Sequence, residues 1–223
     1  MELYLDTANI EQIKAAFEVG VLQGVTTNPS ILLKEKKERT VIIKEVLENS
    51  KGLVFVQVTA DNFEEMYEEA LEIYNIDTLR IGVKIPVNTD GIKTMKTLKE
   101  KNKNIPILAT AIFTAEQGLM AALAGADYIA PYINRMENNG INSGDVIEKI
   151  RKIYDDGKLP TKILAASFKN THQVINVLAR GAHSATISYD IFDAMINNKL
   201  AQDSVNKFTS DWAELQSILK GQE

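Results

Sequence analysis

Apolar residues alternate along the chain between two patterns, one typical of strands and one of helices. Stretches rich in β-branched residues predict eight strands, near positions 3–5, 24–26, 53–58, 79–85, 106–111, 128–130, 162–166 and 184–187. Between them, apolar residues spaced three and four apart, as in "NIEQIKAAFEVG", indicate amphipathic helices. Gly20, Gly125 and Gly181 stand where three of these helices should end, since glycine readily takes the left-handed C-cap conformation.

This alternation predicts parallel strands joined by helical crossovers. Eight such units in 223 residues favour a closed (β/α)₈ TIM barrel of the α/β class over an open sheet. No G-x-G-x-x-G or P-loop sequence follows a strand, so the open dinucleotide-binding sheet lacks its signature. No linker or low-complexity segment divides the chain, and we therefore predict a single barrel domain over residues 1–223.

An additional C-terminal helix is expected beyond the eighth strand, at about 204–220. Four apolar residues fall on one face of it, Phe208, Trp212, Leu215 and Leu219. This C-terminal stripe suits packing against the chain's own barrel or against a neighbouring subunit, and the spacing favours neither. The second alternative would make the protein a homo-oligomer.

Composition and charge exclude several classes of partner. The net charge of −5 gives no general attraction to nucleic acid or to acidic lipid. No apolar run approaches the roughly 18 residues that a membrane span needs, and the N-terminus does not resemble a secretory signal. We therefore expect a cytoplasmic protein that binds neither nucleic acid nor membrane.

Metal chemistry is also disfavoured by the residue content. The chain has no cysteine, which excludes thiolate nucleophiles and zinc–sulfur sites. His172 and His183 have no clustered carboxylates beside them, whereas a catalytic metal usually needs three protein ligands. We expect no metal site, and both histidines are interpreted as structural or exposed.

Polar residues stand at the C-terminal ends of the predicted strands, where barrels of this kind carry their chemistry. Each has an ordinary structural reading: a helix cap, a turn, or a bond to nearby backbone. Arriving together at one face of a barrel, they predict a functional site. They are Asp6, Thr26, Asn28, Gln57, Lys84, Thr110, Tyr132, Arg135, Ser167 and Lys169.

Lys84 is the sharpest candidate, because it interrupts the apolar strand "LRIGVKIPV". If Ile81, Val83 and Ile85 face the surrounding helices, strand alternation turns Arg80, Gly82 and Lys84 toward the barrel axis. Desolvation favours the neutral form of an amine. A neutral amine adds to a ketone or aldehyde and loses water, forming an iminium that serves as an electron sink.

Five segments, "YLDT", "GVTTNPS", "VKIPV", "APYINR" and "AASFK", resemble in order and spacing those of the short transaldolases, especially the fructose-6-phosphate aldolases. The likeness covers essentially the whole chain. It implies a Schiff-base lysine at Lys84, and at Asp6 a carboxylate that contacts substrate hydroxyls and moves a proton. Further implied roles are a hydroxyketone contact at Asn28 supported by Thr26, a catalytic water held by Gln57, Thr110 and Tyr132, and a phosphate site at Arg135 and Ser167 with Lys169 as a third member.

Three positions favour the aldolase side of the resemblance. Transaldolases usually carry glutamate where Gln57 stands, phenylalanine where Tyr132 stands, and Asn-x-Thr where this chain has "LAT" at 108–110. The resemblance implies cleavage of fructose 6-phosphate into dihydroxyacetone and glyceraldehyde 3-phosphate without metal or cofactor. It also implies sugar-phosphate and hydroxyketone partners, and a pentamer or decamer.

Other functions stay open at this point. A transaldolase would instead pass the dihydroxyacetone unit to erythrose 4-phosphate. A non-catalytic sugar-phosphate binding protein and a purely structural subunit are further alternatives.

Overall fold

Eight parallel strands close into a barrel in the computed structural model, which describes residues 1–220. The last three positions of the predicted domain, 221–223, lie outside the described residues. Neighbouring strands follow the order of the sequence, so the TIM barrel expected from the sequence is confirmed. The strands are β1 (Glu2–Asp6), β2 (Leu22–Thr26), β3 (Leu53–Gln57), β4 (Ile81–Pro86), β5 (Ile107–Ile112), β6 (Tyr128–Pro131), β7 (Lys162–Ala165) and β8 (Ser184–Ile187).

Helices follow each strand and surround the barrel. They are α1 (Ile10–Glu18), α2 (Pro29–Glu35), α3 (Arg39–Asn49), α4 (Phe63–Tyr74), α5 (Thr89–Lys101), α6 (Ala115–Leu123), α7 (Ile133–Asn138), α8 (Ser143–Asp156), α9 (Thr171–Ala179), α10 (Tyr189–Ile196) and α11 (Lys199–Lys220). No helix within residues 1–220 is both long and apolar enough to cross a membrane.

The helix ends show why the chain turns where it does. An asparagine or threonine at the N-cap accepts a hydrogen bond from the backbone N–H three residues on, which satisfies a donor that the helix leaves free. These N-caps are Asn9, Asn28, Asn62, Asn88, Thr114, Asn142 and Asn170. At the other ends, Gly20, Gly125 and Gly181 have φ of 83°, 93° and 106°, which confirms the predicted left-handed stops.

Large side chains fill the interior of the barrel below its C-terminal end. Tyr4, Phe55, Leu108 and Leu164 come from β1, β3, β5 and β7 and form one buried cluster. Layers of side chains from alternate strands are the usual filling of such barrels. The space beside Gly82 on β4 belongs to the Phe55 ring, since a Cβ built there would lie 2.4 Å from it. The barrel is therefore closed beneath the strand ends and can form a site above them.

The start of the fourth strand differs from the expectation. Position 79 was expected to begin it, but β4 begins at Ile81, because Asp77 Oδ1 accepts hydrogen bonds from the backbone N–H groups of Leu79 and Arg80 in a turn. The expectation that Arg80 faces the barrel axis is wrong. Its guanidinium instead donates to carbonyl oxygens near the end of α3 and before β3, those of Leu47, Ser50 and Gly52.

Helix α11 confirms the additional C-terminal helix, although it begins at Lys199 rather than near 204. None of its described residues is buried. Phe208 and Trp212, in the C-terminal stripe, are 68% and 62% exposed. In this structure the stripe does not pack against the chain's own barrel.

Candidate active site

A cavity of about 330 Å³ lies at the C-terminal end of the barrel. It collects polar side chains from six strands or the loops after them, those of β1, β2, β3, β4, β6 and β7. Seven of the ten predicted site residues line it: Asp6, Asn28, Gln57, Lys84, Tyr132, Arg135 and Ser167. Thr26 and Thr110 are buried among these residues and reach them through hydrogen bonds.

Lys84 projects into this cavity from β4. Its neighbours in the sheet are Gln57 on β3 and Leu108 on β5. The side chain lies on the inner side of the barrel, as strand alternation predicts, and the residue is 3% exposed. Nζ donates a hydrogen bond to the backbone oxygen of Thr27, 3.2 Å away. The amine is thus shielded from bulk water and tethered by one weak bond.

Asp6 faces the same cavity from the end of β1. Its Oδ1 accepts a hydrogen bond of 2.6 Å from the Thr26 hydroxyl on β2. Burial raises the pKa of the Asp6 carboxyl above its ordinary value, while Lys84, the Thr26 bond and Lys34 act in the opposite direction. A carboxylate with a raised pKa is a better proton acceptor near neutral pH.

Tyr132 forms a second polar pair on the opposite side of the cavity. Its hydroxyl lies 2.8 Å from Oγ1 of Thr110, and either oxygen can donate. The ring packs edge-on against Phe113, with centroids 5.6 Å apart. The guanidinium of Arg135 lies 4.8 Å from the same ring centroid. Tyr132 is thus held on three sides, which fixes the direction of its hydroxyl.

Arg135 and Ser167 border the cavity from α7 and from the loop after β7. Arg135 is exposed, and no carboxylate of residues 1–220 lies within salt-bridge distance of it. Ser167 has a φ of 61°, a conformation that costs a non-glycine residue energy. Its carbonyl accepts a 2.7 Å hydrogen bond from the backbone N–H of Asn134, which helps to hold this conformation. Both groups are available to a ligand at this edge.

One predicted site residue lies outside the cavity, and one backbone feature beside the site was not predicted. Lys169 does not line the cavity; it is exposed near the end of the loop between β7 and α9, and its backbone N–H donates to the side-chain oxygen of Gln173. On β5, Ala111 has a φ of 59° where the pairing with β6 shifts register. This bulge follows Thr110 directly, and no residue in the sequence marks it because alanine rarely adopts this conformation.

The strand-end residues chosen from the sequence omit three neighbours of the site. Ser30 lines the cavity, and the backbone oxygen of Thr27 binds the amine. Thr186 on β8 lies 2.6 Å from the Thr26 hydroxyl. The ten candidates come from the first seven strands or the loops after them. Applying the same strand-end rule to the eighth strand would have identified Thr186, a polar residue near its end.

The two histidines lie away from this cavity. His183 Nδ1 accepts a hydrogen bond from the backbone N–H of Ile163, at the N-terminal end of β7. Among residues 1–220, no three His, Cys, Asp or Glu side chains are grouped so that they could hold a metal ion.

Comparison with known proteins identifies one family over nearly the whole chain. Residues 3–219 match the model of the family described as transaldolase/fructose-6-phosphate aldolase. A "probable fructose-6-phosphate aldolase" of Streptococcus pneumoniae is 41% identical over 221 residues, covering 97% of this chain and 98% of the relative. A "probable transaldolase" of Petrotoga mobilis is 37% identical, with 99% and 98% covered. That of Geobacillus thermodenitrificans is also 37% identical, with 97% and 100% covered.

A solved structure outside this group shares the fold. Thiamine phosphate pyrophosphorylase from Pyrococcus furiosus superimposes with a TM-score of 0.55 over 86% of this chain and 87% of that one. Its sequence is 17% identical, so the likeness concerns the barrel alone. The family match and the relatives extend over nearly the whole sequence and include the strand that carries Lys84. The chain belongs to the transaldolase/fructose-6-phosphate aldolase family of enzymes.

Proposed function

We propose that this protein is an aldolase that cleaves fructose 6-phosphate into dihydroxyacetone and glyceraldehyde 3-phosphate through a Schiff base on Lys84. The observation that carries the proposal is the 3% exposed Lys84 amine in a cavity shared with Asp6, Tyr132 and Arg135. The chemistry requires no metal ion or cofactor, because the iminium itself withdraws electrons.

The reaction begins at the C2 ketone. Neutral Nζ of Lys84 adds to the carbonyl carbon, and loss of water leaves an iminium. The C3–C4 bond then breaks. Its electron pair moves to the iminium and gives an enamine, while the C4 hydroxyl loses its proton and becomes the aldehyde of glyceraldehyde 3-phosphate. Protonation of the enamine at C3 and hydrolysis of the resulting iminium release dihydroxyacetone and restore Lys84.

Asp6 and Tyr132 are the groups proposed to move protons in this sequence. Asp6 takes the C4 hydroxyl proton, since burial makes its carboxylate a stronger base than an exposed aspartate. Tyr132, with Thr110 and Gln57 around a water molecule, returns a proton to the enamine. The 2.8 Å bond between Tyr132 and Thr110 supports this, because it holds the phenol in one orientation. Asn28 and Thr26 hold the hydroxyketone end.

Arg135 and Ser167 are proposed to bind the substrate phosphate. An arginine offers a planar fork of donors that fits a phosphate, and a hydroxyl adds one more bond. Lys169 is exposed and lies outside the cavity. Its proposed role is therefore a weaker electrostatic attraction of the phosphate from outside the cavity. Binding energy at the phosphate positions the C2 carbonyl over the amine.

A transaldolase is the second candidate, because relatives in the family carry that name. The two reactions share the enamine and differ in its fate: protonation gives an aldolase, and capture by erythrose 4-phosphate gives a transaldolase. Gln57, Tyr132 and "LAT" at 108–110 support protonation. A steady-state assay with fructose 6-phosphate alone separates the candidates. Free dihydroxyacetone supports the aldolase, whereas strict dependence on erythrose 4-phosphate supports the transaldolase.

Borohydride trapping tests the covalent step. The protein is incubated with dihydroxyacetone, reduced with borohydride and mapped by peptide mass spectrometry, and an adduct is expected at Lys84. Lys84→Met should abolish it. Lys162→Met, which alters a lysine at the opposite end of the barrel, should retain it. No adduct, or an adduct elsewhere, would support a non-catalytic binding protein or a structural subunit and overturn the proposal.

A homo-oligomer formed through α11 is also proposed, with a pentamer or decamer as the expected size. The exposed C-terminal stripe supports it, since Phe208 and Trp212 offer large apolar side chains that no part of residues 1–220 covers. Replacing both with lysine should reduce the molar mass in light scattering, whereas Ser210→Lys on the other face of α11 should not. Retention of the full mass by the double variant would contradict it. A cytoplasmic location stays a prediction, testable by cell fractionation.

A further inference from the structure

Three side chains from three strands form a short chain of hydrogen bonds beside the cavity. Thr186 Oγ1 on β8 lies 2.6 Å from Thr26 Oγ1 on β2, and Thr26 Oγ1 lies 2.6 Å from Asp6 Oδ1 on β1. Thr186 and Thr26 are 2% and 0% exposed. Since β1 pairs with both β2 and β8, this bridge links two strands that do not pair directly.

The number of protons fixes the direction of these bonds. An ionised carboxylate only accepts hydrogen bonds, so Thr26 must donate its single hydroxyl proton to Asp6. Thr26 then has no proton left for Thr186, and the 2.6 Å contact between them requires Thr186 to donate. Without Thr186, the Thr26 proton could still reach Asp6, but its oxygen would lose the donor that polarises it. Hydrogen bonds in such chains strengthen one another.

We infer that Thr186 is a positioning residue of this site: its hydroxyl donates to Thr26 and thereby holds Thr26 as the donor to ionised Asp6. The inference rests on the proposed function for its catalytic consequence, because Asp6 is there the base that takes the C4 hydroxyl proton. Thr186 itself does not line the cavity, and its hydroxyl is connected to Asp6 by hydrogen bonds through Thr26. Thr186 therefore affects the protonation of the Asp6 carboxylate rather than the binding of substrate.

Other charged groups also face Asp6 and must stay constant in a test. The charged side chains come from β4, α2, α7 and α10 and are Lys84, Lys34, Glu35, Arg135 and Asp190. The phenol of Tyr132 also lines the cavity with Asp6. None of them hydrogen-bonds to the Thr186 or Thr26 hydroxyls. Replacing Thr186 with an uncharged residue leaves all of them in place, so a change in the titration of Asp6 can be traced to the hydroxyl chain.

Thr186→Val is the informative variant, because valine keeps the shape and removes the hydroxyl. Thr186→Ser restores the donor. Ser184→Ala is the matched control, since Ser184 lies on the same strand, is 0% exposed and donates to the backbone oxygen of Ile163 instead. The carboxyl of Asp6 is titrated directly by infrared spectroscopy of protein labelled with ¹³C-aspartate, with Asp6→Asn identifying its band. The pH profile of kcat/KM is measured beside it.

Thr186→Val is expected to move the Asp6 titration midpoint and the acid limb of kcat/KM to higher pH. It should also lower kcat roughly 2- to 10-fold, the range of one net hydrogen bond, with KM little changed. Thr186→Ser should stay within twofold of the wild type, and Ser184→Ala should leave the midpoint unchanged. An unshifted midpoint in Thr186→Val, or an equal shift in Ser184→Ala, overturns the inference. If borohydride trapping at Lys84 fails, the proposed function falls, yet the infrared titration still decides the role of Thr186.

Discussion

The guanidinium of Arg135 lies 4.8 Å from the ring centroid of Tyr132. The arginine proposed to bind the substrate phosphate therefore lies over the ring of the tyrosine proposed to donate the proton. A cation over an aromatic face is attracted by the ring, by about 0.5–1 kcal/mol at exposed sites. Tyr132 in turn bonds to Thr110 at 2.8 Å. The two ends of the proposed site are therefore connected through a single aromatic ring.

Arg135→Lys should weaken recognition of phosphate specifically. Lysine keeps the charge but loses the planar fork that binds phosphate through two parallel bonds. We expect kcat/KM for glyceraldehyde 3-phosphate, measured in the synthetic direction with dihydroxyacetone, to fall by about 10- to 100-fold, on the scale of one or two charge-assisted hydrogen bonds. Unphosphorylated glyceraldehyde should react nearly as before. Arg151→Lys, at the opposite end of the barrel, serves as the control. Equal losses with both aldehydes would show that Arg135 does not bind phosphate.

Tyr132→Phe should separate Schiff-base formation from proton transfer. Loss of the hydroxyl removes the bond to Thr110 but keeps the ring between Phe113 and Arg135. We expect kcat for cleavage of fructose 6-phosphate to fall by about 10²- to 10⁴-fold, the usual contribution of a positioned acid or base. Trapping of dihydroxyacetone on Lys84 should persist.

Tyr154→Phe is the control for Tyr132→Phe. Tyr154 is buried, and its hydroxyl donates to the backbone oxygen of Gly118, outside the cavity. This change should lower the unfolding free energy by about 1 kcal/mol, as for one lost hydrogen bond, with kcat unchanged. A Tyr132→Phe variant that cleaves at the wild-type rate would exclude the phenol as the proton donor.

Periodicity alone predicted the barrel because each strand and helix carries its own pattern. Eight strands and the three glycine stops follow from local sequence, and the strand-end rule located Lys84, Asp6 and Tyr132 in one cavity. The resemblance added roles that spacing cannot supply, and those roles stay proposals. The sequence therefore predicted which residues meet, since the closed topology brings strand ends together.

The features that were not predicted depend on contacts between distant segments. Arg80 follows the alternation of β4 in sequence, but carbonyls at the end of α3 attract its guanidinium away from the axis. The αL conformations of Ala111 and Ser167 oppose the preferences of their residue types, so only surrounding bonds can fix them. The link from Thr186 to Thr26 spans 160 positions of the chain, and no local pattern carries it.

Gly82→Ala should destabilise the barrel without changing any polar group of the site. An added Cβ would lie 2.4 Å from the Phe55 ring, which is fully buried and cannot move freely. Overpacking of this kind costs about 1–3 kcal/mol in unfolding free energy, measurable by urea denaturation. Gly118→Ala is the control, because its Cβ would meet the flexible end of Ile150 at 3.1 Å and alanine favours the helix. A smaller cost at Gly82 than at Gly118 would contradict the rigid filling of the interior.

Asp6→Asn should remove activity while stabilising the fold near neutral pH. Burial raises the pKa of Asp6 in the folded protein despite the opposing effects of Lys84 and Thr26. Between the unfolded pKa, about 3.9, and the raised folded value, the folded state holds more protons than the unfolded state. The stability of the wild type therefore falls as pH rises through this window, and it stays lower above it. Asparagine does not titrate, so the variant escapes this loss.

Glu69→Gln should change the pH dependence of the unfolding free energy in the opposite direction, because the pKa of Glu69 is lowered in the folded protein. Burial alone would raise the pKa of Glu69, but hydrogen bonds from Arg39, from the backbone N–H groups of Ala60 and Thr59, and from the Thr59 hydroxyl lower it overall. Its stabilising effect is present above the unfolded pKa and disappears as pH falls through the folded one. Denaturation curves from pH 3 to 8 should thus show Asp6→Asn gaining on the wild type as pH rises, while Glu69→Gln loses ground. If the unfolding free energies of Asp6→Asn and the wild type changed in parallel with pH, burial would not destabilise the ionised form of Asp6. A carboxylate whose pKa is raised by burial destabilises the folded protein when it ionises, and removing its charge must remove that destabilisation.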